Sequence, residues 1–203
     1  MVEQEINTEN KILDAAKRVF LKNGFDGARM QEIATEAGIN KALLHYYFRS
    51  KDKLFDAIFT EAFSQFLPKV GEVMMTDIPF LEKIRIFIDS YINMLTKNPH
   101  LPIFVLHELH RNPGRIVQII KNTGVDPNII SKILKSEAKK GNIVEMDAKH
   151  LVPNIIGLCL FPFVARPILQ AIIFNGDEKA YESYLLERKE EVYKFITNAL
   201  IKK

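Results

Sequence analysis

Residues 30–53 read MQEIATEAGINKALLHYYFRSKDK, and this stretch decides the fold. Met30, Ile33, Ala34 and Ala37 fall at i, i+3, i+4 and i+7, which predicts a short helix with one apolar face. Gly38 ends it. The Asn40 side chain is placed to cap a following helix by accepting a backbone N–H. Ile39, just before that cap, and Leu44, at the fourth helical position, form a hydrophobic staple that sets the angle between the helices. Two short helices joined by residues 37–40 have the spacing of a helix-turn-helix.

The second of these helices, Asn40 to about Phe48, turns Leu44 and Phe48 toward a core. At 100° per residue Ala42 and Tyr46 then lie on the opposite side, flanked by Leu43 and His45. Such a face suits a DNA major groove. Ala42 permits close approach, Leu43 can touch a thymine methyl and Tyr46 can hydrogen-bond. Lys41, Arg49, Lys51 and Lys53 surround it, opposed only by Asp52. Cations there neutralise phosphates and release counterions. Open N–H groups at the starts of the helices near Met30 and Lys51 add phosphate sites.

Outward from this motif the helical period continues and no sustained alternation occurs, so the class is all-α. A first helix is expected from an N-cap at Thr8 to Asn23-Gly24, with Ile12, Ala16, Val19 and Phe20 buried and Gly24 as a left-handed stop. A fourth helix begins at Lys51 and ends near Pro68. Later joints are expected at Asn98-Pro99, Pro113-Gly114, Gly124, Asp126-Pro127, Gly141, Pro162 and Asn175-Gly176. Asp147 caps a helix carrying His150 to Leu160. The last helix, about Asp177 to Ile201, sets Tyr181, Tyr184, Leu185, Val192, Phe195, Ile196 and Ala199 on one broad face.

Composition narrows the classes without choosing among them. With 28 Lys and Arg against 25 Asp and Glu, the net charge of +3 is too small to indicate nucleic acid by itself. A hydrophobic share of 47% supports a sizeable core and excludes a disordered chain. The lone Cys159, in an apolar run, fits a reducing cytoplasm and reads as a small buried hydrophobe. The polar residues 1–10 hold no signal-peptide core. The apolar stretch 151–174 carries Asn154, Arg166, Gln170 and three prolines, so it reads as packed core and no membrane partner is expected.

Residues 24–34 (GFDGARMQEIA), 37–41 (AGINK) and 44–54 (LHYYFRSKDKL) resemble the TetR family of regulators, closely over about the first sixty residues. The resemblance implies a homodimer in two parts. Residues 6–66 would form a three-helix DNA-binding domain with its connecting fourth helix, and 67–203 a larger helical effector-binding and dimerisation domain. It also implies that Lys41, Ala42, Leu43 and Tyr46 face bases or neighbouring backbone, while His45, Tyr47 and Lys51 hold phosphates. Arg29 stands where the family often has a capping threonine, which removes the cap but offers a phosphate ligand. His45 replaces a common tyrosine. Gln31 either touches DNA or faces water.

The expected function is a ligand-responsive repressor on a near-palindromic double-stranded operator, its two reading helices about 34–36 Å apart. The segments near 148–174 and 177–201 are the expected dimer interface. A small apolar or amphipathic effector would be lined by Phe63, Phe66, Phe87, Tyr91, Phe104, His107 and Phe161, with no cofactor. His107 and His110 are three residues apart and do not make a zinc motif, and a site drawing on His100 or His150 is the minor alternative. No pattern argues for catalysis. The competing readings are an activator of the same fold, a helical small-molecule enzyme and a nonspecific nucleoid protein.

Overall fold

At Gly24 the backbone takes φ 68 and ψ 171, a conformation only glycine adopts freely, and the first helix turns there. The structure is a computed structural model that describes residues 2–64, 66–99, 101–122, 126 and 128–201. Of residues 2–6, 115, 119 and 120 only the backbone is described. The expected joints at Gly124 and Pro127, and His100, lie outside the described residues.

Among the described residues every regular element is a helix. The N-terminal group is α1 (Val2–Gly27), α2 (Met30–Glu36), α3 (Lys41–Tyr47) and α4 (Lys51–Ser64). The rest is α5 (Phe66–Met75), α6 (Phe80–Lys97), α7 (Leu101–Arg111), α8 (Pro113–Asn122), α9 (Ile129–Lys139), α10 (Ala148–Val164), α11 (Arg166–Ile172) and α12 (Glu178–Leu200).

Several expected boundaries move, each for a local reason. Thr8 lies inside α1, whose backbone is helical from Val2, so it is not an N-cap. Pro68 does not end α4. It sits in the first turn of α5, where its missing N–H has no helical partner to lose. Pro162 is inside α10, and the break follows at Ala165. Arg188 of α12 donates to the Leu158 carbonyl, which a proline at 162 cannot reach. The Tyr181 hydroxyl donates to the Pro162 carbonyl at 2.9 Å. Asp147 and Asp177 cap α10 and α12 through Lys149 N–H and Ala180 N–H.

Two apolar cores organise the chain. The first gathers Ile12, Phe20, Ile33, Leu44 and Phe55 from α1–α4, and continues into Phe66, Met94, Leu95, Leu101 and Phe104. The second joins Ile84, Ile88 and Ile92 of α6 to Ile155 and Cys159 of α10 and Val192 and Ile196 of α12. Helix α6 therefore serves both cores. The expected single face of α12 is split: Tyr181, Leu185, Val192 and Ile196 are buried, Tyr184 is half-buried, and Phe195 and Ala199 are exposed. No single helix among the described residues is long and apolar enough to cross a bilayer. The pair α10 and α11 has the length and composition but bends by 66°.

Candidate nucleic-acid interface

Helix α3 has the two-sided character its sequence predicts. The Asn40 side-chain oxygen accepts from Leu43 N–H at 2.8 Å, and the Phe48 N–H closes the last turn on the Leu44 carbonyl at 2.8 Å. Leu44 is fully buried and Phe48 nearly so, with Ile39 packed on the same core. The other face is open: Lys41, Ala42, Leu43 and His45 are exposed, and Tyr46 is 77% exposed. Tyr47, half-buried, meets Tyr46 edge to face with ring centroids 5.5 Å apart, so it limits where the Tyr46 ring can swing.

Helix α2 is braced from behind. Arg29 provides no side-chain cap, yet half of the reciprocal box survives, because the Glu32 carboxylate accepts the Arg29 N–H at 3.0 Å. Asn23 of α1 donates to that carboxylate at 3.2 Å. The cap expected to be lost is thus partly retained. The Arg29 side chain is left exposed, as is Gln31. An Arg18–Glu36 ion pair at 2.6 Å ties the far end of α2 to α1. Gly38, with φ 68, makes the turn into α3.

Lys51 is the least free of the expected phosphate ligands. Its ammonium donates to the carbonyls of Asp26 and Ala28 at 3.2 and 3.1 Å and lies 4.6 Å from the Phe25 ring centroid. Two of its three donors hold the loop between α1 and α2, and one remains.

Sequence comparison places this arrangement. Residues 12–58 match the family described as bacterial regulatory proteins, tetR family. The N-terminal segment thus has the sequence of a TetR-type helix-turn-helix. Among its relatives, the fatty acid metabolism regulator protein of Bacillus subtilis is 27% identical over 139 residues, covering 66% of this chain and 70% of that one. The HTH-type transcriptional repressor NicS of Pseudomonas putida is 41% identical over 64 residues, 32% of this chain and 30% of NicS. The solved structure of the regulator FadR from Bacillus subtilis in complex with stearoyl-CoA superposes with a TM-score of 0.66 at 21% identity, over 93% of this chain and 97% of FadR. The likeness to FadR is one of fold. These relatives are named as transcriptional regulators, and the likeness is strongest over the helix-turn-helix.

Behind the TetR-type reading motif, three of the expected effector-lining residues lie elsewhere. Phe161 is 62% exposed on the outer side of α10. Phe104 is buried in the first core, edge-on to Phe20 and 5.3 Å from Phe55. His107 faces the loop between α1 and α2, with Nε2 3.4 Å from Asp26 Oδ2. Phe63 stacks on Phe59 at 4.6 Å. Phe66, Phe87 and Tyr91 form a triangle of rings 5.4–5.8 Å apart. Burial pushes the Tyr91 phenol well above its usual range, so it stays neutral.

Two cavities flank this ring triangle. One, about 130 Å³, has only apolar side chains: Val70 and Met74 of α5, Phe80, Ile84 and Phe87 of α6, and Ile130, Leu151, Val152, Ile155 and Ile156. The other, about 410 Å³, is mixed, with Glu61, Lys69, Ser90, Asn93, Lys97 and Asn98 around Ala62, Phe66 and Met94. Among the described residues no group of three His, Cys, Asp or Glu side chains is gathered to hold a metal.

The body residues that reach the N-terminal helices, Arg111 above all, were missed from sequence. A row at 104, 107 and 111 on one helical face was the available signal.

Proposed function

We propose that this chain is a homodimeric, effector-responsive repressor in which residues 6–66 read DNA and residues 67–203 bind effector and partner. The observation that carries the reading is the solvent-facing side of α3, Ala42, Leu43, His45 and Tyr46, held rigid by buried Leu44 and Phe48. Lys41, Ala42, Leu43 and Tyr46 enter the major groove. Arg29, His45, Tyr47 and the remaining donor of Lys51 meet phosphates, and Gln31 lies beside them at the start of α2.

The dimer would form through α10–α12. Phe161, Ile168, Ile172, Ile173, Leu186 and Phe195 are all more than 60% exposed there, an apolar concentration unusual for a surface facing water. A two-fold axis through such a patch sets the spacing of two α3 helices on a near-palindromic operator.

The effector would be an amphipathic molecule with an acyl tail. The apolar cavity suits the tail, and Lys69 and Lys97 on the other side of Phe66 and Phe87 suit an acidic head, since Glu61 in the same cavity is paired with Lys17 at 2.9 Å. The relatives that regulate fatty acid metabolism support the same class. The ligand acts only if it binds the DNA-incompetent state more tightly.

The test is a footprint on the upstream region of the chain's own gene, with the Lys41→Ala/Tyr46→Ala double variant as control. A protected near-palindrome that the variant no longer protects supports the reading. Equal affinity of the variant for that site defeats it. Fatty acids and acyl-CoAs of graded length should release the wild-type complex, and a reporter should rise when the gene is deleted.

A further inference from the structure

Two neighbouring residues of α5 face different spaces. Lys69 lines the mixed cavity of about 410 Å³, and Val70 lines the apolar one of about 130 Å³. Helix α6 divides in the same way along its length. Phe80, Ile84 and Phe87 belong to the apolar cavity, and Ser90, Asn93 and Lys97 to the mixed one. The two spaces therefore meet at a thin partition. Phe66 of α5 and Phe87 of α6 stand there with ring centroids 5.8 Å apart, and Tyr91 completes the wall 5.4 and 5.6 Å from them.

The partition separates two chemistries. An apolar cavity of about 150 Å³ holds one benzene, so the space beyond Phe87, about 130 Å³, holds a group of about six carbons. On the near side cations gather. Lys69 and Lys97 line the mixed cavity, and Lys189 donates to its Asn93 at 2.7 Å. Glu61, which lines it too, is paired with Lys17 at 2.9 Å.

We propose that Phe66 and Phe87 form a gate that limits the effector to a carboxylic acid of about six to eight carbons. Its carboxylate sits with Lys69 and Lys97, one or two carbons cross the ring pair, and the rest fills the apolar cavity. The Phe87 ring turns aside to admit the chain. Phe80, about 10 Å further along α6, stands at the far end and stops a longer one. This rests on the proposed effector reading and narrows its ligand from acyl compounds at large to short ones.

The test is calorimetric titration of the full chain, without DNA, with straight-chain carboxylic acids of about four to sixteen carbons below their micelle concentrations. Affinity should rise about fourfold per added methylene up to about eight carbons, then level off or fall. Phe87→Ala joins the two cavities and should move that maximum to about twelve carbons. Phe87→Leu, for the case in which alanine does not fold, should move it by about one or two. Lys69→Gln/Lys97→Gln should weaken the acids about tenfold and leave primary alcohols of equal length unchanged. Affinity still rising at sixteen carbons in the wild type, a maximum unmoved by both Phe87 variants, or equal losses for acids and alcohols would overturn the gate. Binding of no acid at all defeats the effector reading along with it. A length limit found beside a failed operator footprint leaves the gate standing and defeats the DNA reading alone.

Discussion

Arg188 completes a hydrogen bond that Pro162 leaves open. Its Nε and Nη2 lie 3.4 and 3.3 Å from the Leu158 carbonyl oxygen, whose helical donor four residues on is absent because residue 162 has no N–H. Two distant helices are thereby joined at a defect. Replacing Arg188 by methionine should cost about 1–2 kcal/mol in urea unfolding. In a Pro162→Ala background, where the alanine N–H can serve Leu158, the same change should cost clearly less. Equal costs in both backgrounds would show that the guanidinium is not filling that gap.

Leu44 and Tyr46 are two residues apart on α3 and should fail in different assays. Leu44→Ala removes a fully buried side chain and should lower stability by about 2–5 kcal/mol. Tyr46→Ala should change stability by less than about 0.5 kcal/mol while weakening operator binding by about 1–3 kcal/mol. Thermal melts and titrations on one DNA fragment separate the two.

Burial pushes the Cys159 thiol up to about 12, with desolvation the main cause and nearby Arg188 acting in the opposite direction. At pH 8 roughly one thiol in ten thousand would be ionised, against about a quarter of exposed cysteines. An aromatic disulfide reagent should therefore leave the native protein unlabelled and label one thiol per chain in urea. Fast labelling of the native state would show that the second core opens readily.

Phe161→Glu or Phe195→Glu places a charge on the exposed apolar face of α10 and α12. Analytical ultracentrifugation should find a dimer for the wild type and monomers for either variant, with little change in helicity. Operator affinity should fall steeply, because two heads held on one frame bind far better than two held separately.

The helix-turn-helix was legible because local rules agreed within a few residues. Asn40 caps, Gly38 turns, Leu44 anchors and Tyr46 faces out, all set by near neighbours in sequence. The body was less legible. Phe104, Phe161 and Phe195 are interchangeable to a hydrophobic pattern, yet one is core and two are surface, decided by contacts with distant helices. Pro162 looked like a joint because a proline usually ends a helix, and here Arg188 and Tyr181, 26 and 19 residues away, both donate to backbone carbonyls, of Leu158 and Pro162, that lack a helical donor. Lys51 looked free because its partners are carbonyls, which no side-chain pattern reveals.

The aromatic rings shared between the N-terminal helices and α7 bear on how the protein can be dissected. A fragment cut after residue 66 would lose the side of Phe20 and Phe55 that Phe104 covers, along with Met94, Leu95 and Leu101. Such a peptide would offer a sticky wet surface in place of a wall, so it should aggregate or fluctuate instead of behaving as a detachable reader. The intact chain should accordingly melt as one cooperative unit.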